Sequence, residues 1–372
     1  MTPEEAAHKL RQLLESHKAQ HVMLVTGKRS FKLSGAAEAL EAAWTPGLKI
    51  THFDSVPKNP DVDAVDAAAA LCDAGTPDFV IVVGGGSAID LAKALLIRLA
   101  TQEPAAHTLD SKAWMDTELV PLVAIPTTTG TGSETTQFAV IYRDNIKHSL
   151  SSAKLLPNHV FLVPKFTQAQ PFPVRAAAGF DALSQAIESY WSGHGTTESD
   201  KAALDAIPLA ASRLTMGLGD FTEEVASDMQ EAAHLAGIAI NTTKTTAPHA
   251  LSYALTTDYG VDHGHAVGLL LPKIWRLHNR MAAAGTLPAP LKHRMQDISD
   301  RLGVPSHEVP QFIESMLKKN ELPFNFRDLG LETQEHWVAL CKRVNQDRLK
   351  NHPATLSTDD IEALWNHEIS DI

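Results

Sequence analysis

Apolar and polar positions follow two different rhythms along this chain. In the first half, short apolar runs end in glycine or small polar residues: HVMLVTG at 21–27, LKITHFD at 48–54, DFVIVVGGG at 78–86 and VPLVAIPTTTGTGSE at 120–134. Runs of this length, closed by glycine, predict strands. Between them lie alanine-rich stretches such as DVDAVDAAAALCDAG at 61–75, whose composition predicts helices. Strands separated by helices predict a parallel sheet covered on both faces. The rhythm changes at PKFTQAQPFPVRAAAGFDAL, 164–183, where three prolines cluster and helical periodicity takes over to the end. The expected organisation is an α/β domain over 1–174 and an all-α domain over 175–372, with the boundary at about 172–176.

Composition narrows the partners. The 372 residues carry a formal charge of -12, which argues against a nucleic-acid partner because little is left to neutralise phosphates. A small anionic substrate stays compatible, since a local cationic pocket can oppose the global sign. Cys72 and Cys341 are the only cysteines, too few for a disulfide scaffold or a cysteine-based zinc site. They point to a reducing, cytoplasmic setting. The opening MTPEEAAHKLRQLLESHKAQ is charged throughout and reads as an amphipathic helix, not a secretory signal. The longest apolar runs are too short to span a bilayer, so no membrane partner is expected.

Two loops carry candidate binding chemistry. In GGGSAIDLAKAL, 84–95, a predicted strand runs into Gly84, Gly85 and Gly86, with Ser87 placed to cap a helix starting near Ala88. Glycines let backbone N–H groups approach a pyrophosphate, and a helix N-terminus adds partial positive charge. The spacing is not the generic G-x-G-x-x-G. PTTTGTGSE, 126–134, follows another strand and offers the hydroxyls of Thr127, Thr128, Thr129 and Thr131. Ligands of open α/β sheets bind outside the carboxyl ends of the strands, where both loops are expected. Either loop alone also reads as a plain turn.

A second constellation lies downstream. In GFDALSQAIESYWS, 179–192, Asp181 and Gln185 are one helical turn apart and Glu188 is close to their face. APHALSYALTTDYGVDHGHAVGLLLP, 247–272, holds His249, His263 and His265. One aspartate with two neutral imidazoles suits Zn²⁺ or Fe²⁺ and leaves positions open for water or substrate. Singly, each histidine reads as structural; imidazoles beside an apolar VGLLLP run need a reason to be there.

These four segments, in this order and spacing, resemble the iron-dependent (group III) alcohol dehydrogenases, a family that includes glycerol dehydrogenases and relatives of dehydroquinate synthase. The resemblance covers nearly the whole chain. It implies a Rossmann-like N-terminal dinucleotide-binding domain, an all-helical C-terminal domain, and one divalent metal, Fe or Zn, in the cleft between them. By motif, Asp181, His249 and His263 match metal ligands. Gly84, Gly85, Gly86, Ser87, Asp90, Thr127 and Thr128 match the cofactor loops, and Lys147 matches a lysine near the nicotinamide ribose. Family analogy also implies a homodimer or larger homo-oligomer.

The chain departs from the family at three places. Gln185 stands where many members carry a further histidine ligand, and Tyr253 where many carry a histidine four residues after His249. A glutamine offers only a weak carbonyl-oxygen donor. After the first strand, where NAD-using relatives place an aspartate, the chain reads VTGKRS: Gly27 removes a carboxylate that would repel a 2′-phosphate, and Lys28, Arg29 and Ser30 can bind one. NADP is therefore expected ahead of NAD. SQAIESYWS and PHALSY resemble a phosphonoacetaldehyde reductase-like branch, for which Lys147, Arg175, Lys244 and His265 are candidate cations.

The expected activity is metal-dependent, NAD(P)-linked reduction of a small aldehyde, or oxidation of the matching alcohol, with Tyr253 or His265 passing the proton. A dehydroquinate synthase-like lyase using NAD without net redox change is one alternative. A non-catalytic dinucleotide sensor is another.

Overall fold

The computed structural model describes residues 1–72, 75–144, 146–342, 344 and 349–370. The chain divides into two compact units, Met1–Gln170 with Thr222–Gln230, and Pro171–Phe221 with Glu231–Ile372.

The first unit is built on a parallel sheet of β1 (His21–Thr26), β2 (Lys49–Phe53), β3 (Phe79–Gly84), β4 (Leu122–Pro126) and β7 (His159–Val160), in the order β2-β1-β3-β4-β7. Four of these are the strands the apolar runs predict. Alternate residues point to opposite faces. Leu24, Ile81, Val83 and Ile125 pack with Leu10 and Leu14 of the helix Pro3–Ser16 on one face. Val25, Val80, Val82 and Ala124 pack with Val65 of the helix Val62–Ala70 and Leu91 of the helix Gly86–Thr101 on the other. Both faces are covered, so β3 and β4 are buried at every position, which is why they read as continuous apolar runs.

The connections leave the sheet in opposite directions. After β1 the chain crosses through Ala36 and Leu40 on the Leu10 face to reach β2. After β3 it crosses through Gly86–Thr101 on the Val65 face to reach β4. The carboxyl ends of β1 and β3 therefore form a topological switch point, where open α/β sheets bind ligands.

A two-stranded antiparallel hairpin, β5 (Phe138–Arg143) and β6 (Ile146–Ser151), was not legible in the sequence. FAVIYR at 138–143 is a short apolar run, but IKHSLS at 146–151 is mostly polar, and Ala139, Ile141 and Leu150 turn into the core. Two-residue β7 is too short for any periodicity to show.

The second unit contains helices and no strand among the described residues. Its helix Phe172–Trp191 is buried at nearly every position from Ala176 onward, including the polar Asp181, Ser184, Gln185 and Glu188. Helices Thr197–Met216, Ala247–Asp258 and His263–Ala283 belong to the same unit. Among the described residues no helix is long and apolar enough to cross a membrane.

Candidate functional site

Three helices of the second unit each deliver one donor to a single point. Asp181 lies midway along Phe172–Trp191, His249 lies in the first turn of Ala247–Asp258 just after Pro248, and His263 opens His263–Ala283. Their ligand atoms all lie within 4.8 Å of one another. Asp181 and His249 are buried and His263 is half-buried. Nε2 of His249 is 3.4 Å from Oδ1 of Asp181, and the two imidazole centroids are 5.2 Å apart.

Glycine makes the convergence possible. A Cβ at Gly264 would strike the carbonyl oxygen of Ala177 and come within 2.8 Å of the Asp181 Cβ. One turn on, a Cβ at Gly268 would lie 2.8 Å from the Cβ of Phe180. The glycine between the two histidines of the HGH tripeptide is thus a packing requirement of the Asp181 helix.

Behind His249 stands a residue the sequence placed near the site without giving it a role. Glu188 accepts a hydrogen bond from Nδ1 of His249 at 2.5 Å, while its other oxygen accepts from the Thr246 amide at 2.7 Å and the Thr246 hydroxyl at 2.9 Å. Its only signal in the sequence is a position two helical turns after Asp181. Burial disfavours an imidazolium at His249, but the carboxylates of Glu188 and Asp181 outweigh it and raise its pKa to about 9. Burial likewise opposes ionisation of Asp181; the polar contact with Nε2 of His249 and the charges of His263 and His249 win, and its pKa is lowered.

Two buried carboxylates need a positive charge between them. Oδ1 of Asp181 and Oε1 of Gln185 are both buried without a hydrogen-bond partner among the described residues. Two imidazoles, a carboxylate oxygen and an amide oxygen with open valence form a donor set that fits one divalent cation.

The remaining expected residues of this unit are placed differently. Tyr253 is half-buried one turn past His249 on the same helix. His265 is outside the donor cluster: its Nε2 donates to the Pro323 carbonyl at 2.6 Å, and burial lowers its pKa. Arg175 donates to the Gly219 carbonyl at 2.7 Å and lies over the rings of Phe172 and Phe221. Lys244 follows the helix Glu223–Thr243 in a left-handed conformation, φ 60°.

The glycine and threonine loops meet in the first unit. The Thr127 amide donates to the Gly84 carbonyl at 3.0 Å. A Cβ at Gly85 would lie 2.8 Å from Cγ2 of Thr128, and one at Gly86 would lie 2.8 Å from Cγ2 of Thr131. A Cβ at Gly84 would lie 2.6 Å from that of Ala88 and 3.9 Å from the Gly27 nitrogen. Loops after β1, β3 and β4 are therefore in close contact, and side chains at 84–86 would wedge them apart. The helix begins at Gly86 with Gly85 as its cap, not at Ala88 with Ser87 as its cap. Ser87 instead donates its hydroxyl to the Lys58 carbonyl.

Asp90 spends its carboxylate on the protein. It accepts from the Ser133 hydroxyl at 2.7 Å and the Val140 amide at 3.0 Å, and burial raises its pKa. Lys147, on β6 opposite Tyr142, lies near enough to stabilise its charge. Sequence reasoning missed Lys93, one turn after Asp90. Its fully buried ammonium donates to the carbonyls of Ser133, Thr136 and Phe138, each at 2.7 Å. Burial lowers its pKa to about 8 against the opposing pull of Asp90 and Glu134. Lys93 thus clamps the far end of the threonine loop. Arg29 and Lys28 are exposed beside Gly27, whose added Cβ would meet only the Ser30 side chain within 4 Å.

Known proteins are similar to this chain in sequence and fold. Residues 1–164 match the family model for iron-containing alcohol dehydrogenase, and residues 175–369 match the C-terminal model of the Fe-containing alcohol dehydrogenase family. Long-chain-alcohol dehydrogenase 1 of Geobacillus thermodenitrificans is 29% identical over 316 residues, covering 84% of this chain and 78% of that protein. The NADPH-dependent butanol dehydrogenase of Clostridium saccharobutylicum is 27% identical, covering 87% of this chain and 84% of that protein. The crystal structure of sulfoacetaldehyde reductase from Bifidobacterium kashiwanohense in complex with NAD⁺ matches with a TM-score of 0.88 and 28% identity, over 98% of this chain and 95% of that one. With both halves of the sequence matched and the fold shared end to end, the chain belongs to the iron-containing alcohol dehydrogenase family.

Proposed function

We propose that this enzyme reduces a small, anionic aldehyde, a phosphonate or sulfonate, with a nicotinamide dinucleotide, and oxidises the matching alcohol in reverse. The observation that carries the redox reading is the Asp181–His249–His263 cluster, with buried, unpartnered oxygens on Asp181 and Gln185. In this reading Asp181, His249 and His263 hold one divalent metal, Fe or Zn, and Gln185 contributes its carbonyl oxygen. When bound, that ion supplies Lewis acidity toward a carbonyl oxygen. The nicotinamide supplies the hydride.

The chain's own residues do the rest. Gly84, Gly85 and Gly86 bring backbone to a pyrophosphate at the β1/β3 switch point, and Thr127 and Thr128 flank it. Gly27 presents no carboxylate to a ribose 2′-phosphate and Arg29 offers it a cation, which supports NADP ahead of NAD. Tyr253, on the helix of His249, is the proton source. Lys147 holds the nicotinamide ribose, and Asp90 supports that lysine and the threonine loop from behind. We assign residues 1–174 to the dinucleotide and 175–372 to the metal and substrate, in a homodimer or larger homo-oligomer.

The anionic substrate draws support from the sulfoacetaldehyde reductase that this chain resembles over 98% of its length. An aldehyde panel decides it: phosphonoacetaldehyde, sulfoacetaldehyde and butanal, each with NADPH and with NADH, followed by cofactor absorbance. Preference for the anionic aldehydes is expected. Turnover of butanal alone would remove the anionic specificity, and no turnover of any aldehyde would leave the sensor reading, which the replacements at Gln185 and Tyr253 favour.

A further inference from the structure

Glu188 is fully buried, yet it is not one of the clustered donors. A buried carboxylate is costly unless each oxygen is engaged. Here both are. One accepts Nδ1–H of His249 at 2.5 Å; the other accepts the Thr246 amide and hydroxyl at 2.7 and 2.9 Å. The Thr246 hydroxyl accepts in turn from the indole nitrogen of Trp191, at 2.8 Å. Glu188 and Trp191 belong to the helix of Asp181, whereas Thr246 is the residue before the helix of His249. The relay therefore joins the two helices that supply the buried donors.

The geometry points to Glu188 as the positioning residue of the metal site. By accepting at Nδ1 it commits the His249 proton to the far side of the ring, so Nε2 is left facing Asp181 with its lone pair available. Without that acceptor the ring can turn over, or carry its proton on the nitrogen that must bind. Thr246 acts one step further out: its two donors hold the Glu188 carboxylate in the orientation that His249 needs, and the Trp191 indole orients the Thr246 hydroxyl. This inference rests on the metal reading above and adds to it a residue that touches neither ion nor substrate.

The test is metal affinity, measured on the full chain with Co²⁺ alone, by visible absorption and chelator competition, without turnover. Glu188→Gln keeps an acceptor for His249 but cannot also accept from both Thr246 donors. It should weaken Co²⁺ binding by about 10- to 100-fold, the usual effect of losing an outer partner, and alter the Co²⁺ absorption band. Thr246→Val keeps the backbone donor and removes the hydroxyl, and should weaken binding less. An unchanged dissociation constant in a folded Glu188→Gln protein overturns the inference. If that variant does not fold, an unchanged constant and band in Thr246→Val overturn it. Absence of Co²⁺ binding by the unaltered chain overturns the metal reading itself, and this inference with it.

Discussion

Gly264 lies against Asp181 so closely that a single added carbon would come within 2.8 Å of the aspartate Cβ and collide with the Ala177 carbonyl. Two helices are held at this separation by the absence of a side chain. Gly264→Ala should force them apart, at a cost of roughly 1–3 kcal/mol for overpacking. Because the shift falls on a ligand, metal content should drop more than stability does. Metal analysis beside a melting curve checks this; full metal occupancy in the alanine variant would refute it.

The two histidines of the cluster should behave unequally. His263→Ala removes a half-buried side chain, so the protein should remain folded within about 1 kcal/mol, bind NADPH nearly as before, and lose metal and turnover. His249→Ala strands the Glu188 and Asp181 carboxylates in the interior, at a cost of roughly 3–5 kcal/mol. Urea unfolding of the two variants separates these outcomes. Equal stability would mean that the buried pair contributes little.

Lys93 makes a corresponding prediction in the sheet unit. Lys93→Met fills the space but leaves the carbonyls of Ser133, Thr136 and Phe138 without their shared donor. Each unsatisfied buried group costs roughly 1–3 kcal/mol, so the melting temperature should fall clearly. NADPH affinity, read by fluorescence titration, should weaken several-fold because the threonine loop loses its anchor. Retained affinity at reduced stability would separate the clamp from cofactor binding.

At the end of β1, Gly27→Asp should reverse cofactor choice. The position has no positive φ, and its Cβ would clash only with the Ser30 hydroxyl, an exposed side chain that can rotate aside, so the backbone tolerates the change. The new carboxylate repels a 2′-phosphate and accepts from a 2′-hydroxyl. A swing of about tenfold or more in relative affinity toward NADH is expected, equivalent to about 1.4 kcal/mol. No change in the NADPH/NADH ratio would place the 2′ position elsewhere.

A pH dependence follows from His278 and His352. The two rings stack with centroids 5.0 Å apart and Nε2 to Nε2 at 2.9 Å, buried against Trp191. Burial pushes His278 down to about 3, and burial with its neighbour's charge pushes His352 well below 6.5. The unfolded chain thus binds more protons than the native one once pH falls below about 6.5, and stability is lost progressively toward pH 3. His278 adds a slope of about 1.4 kcal/mol per pH unit in that window, and His352 acts in the same direction. Urea midpoints between pH 7 and 4 should fall less steeply in a His278→Phe/His352→Phe double variant; parallel curves would show that the pair is not a source of acid lability.

Much of this architecture is legible in the chain itself. Continuous apolar runs such as FVIVV announce β3 because a parallel strand is buried on both faces. Asp181, His249 and His263 stand out because ionisable side chains sit in stretches otherwise rich in alanine and leucine. The hairpin at 138–151 escapes because its second strand, IKHSLS, is mostly polar and buries only Leu150, and Lys93 reads as one more polar residue of a helix until the loop that it holds is seen. Asp90 and Ser87 stand in the segment that resembles the family's cofactor loop, yet their side chains are engaged with Ser133, Val140 and Lys58.

The sequence by itself determined the four main parallel strands, the switch to helices and the glycine and threonine loops, because periodicity and backbone freedom are local properties; the choice of Asp181, His249 and His263 among the candidate donors came from resemblance of motifs. Only the tertiary structure decided that Glu188 bonds Nδ1 of His249 while His265 turns to the Pro323 carbonyl, that Gly264 exists to admit a neighbouring helix, and that Lys93 locks a loop forty residues away. Those assignments depend on which groups become close neighbours once water is excluded, and spacing along a chain does not encode that.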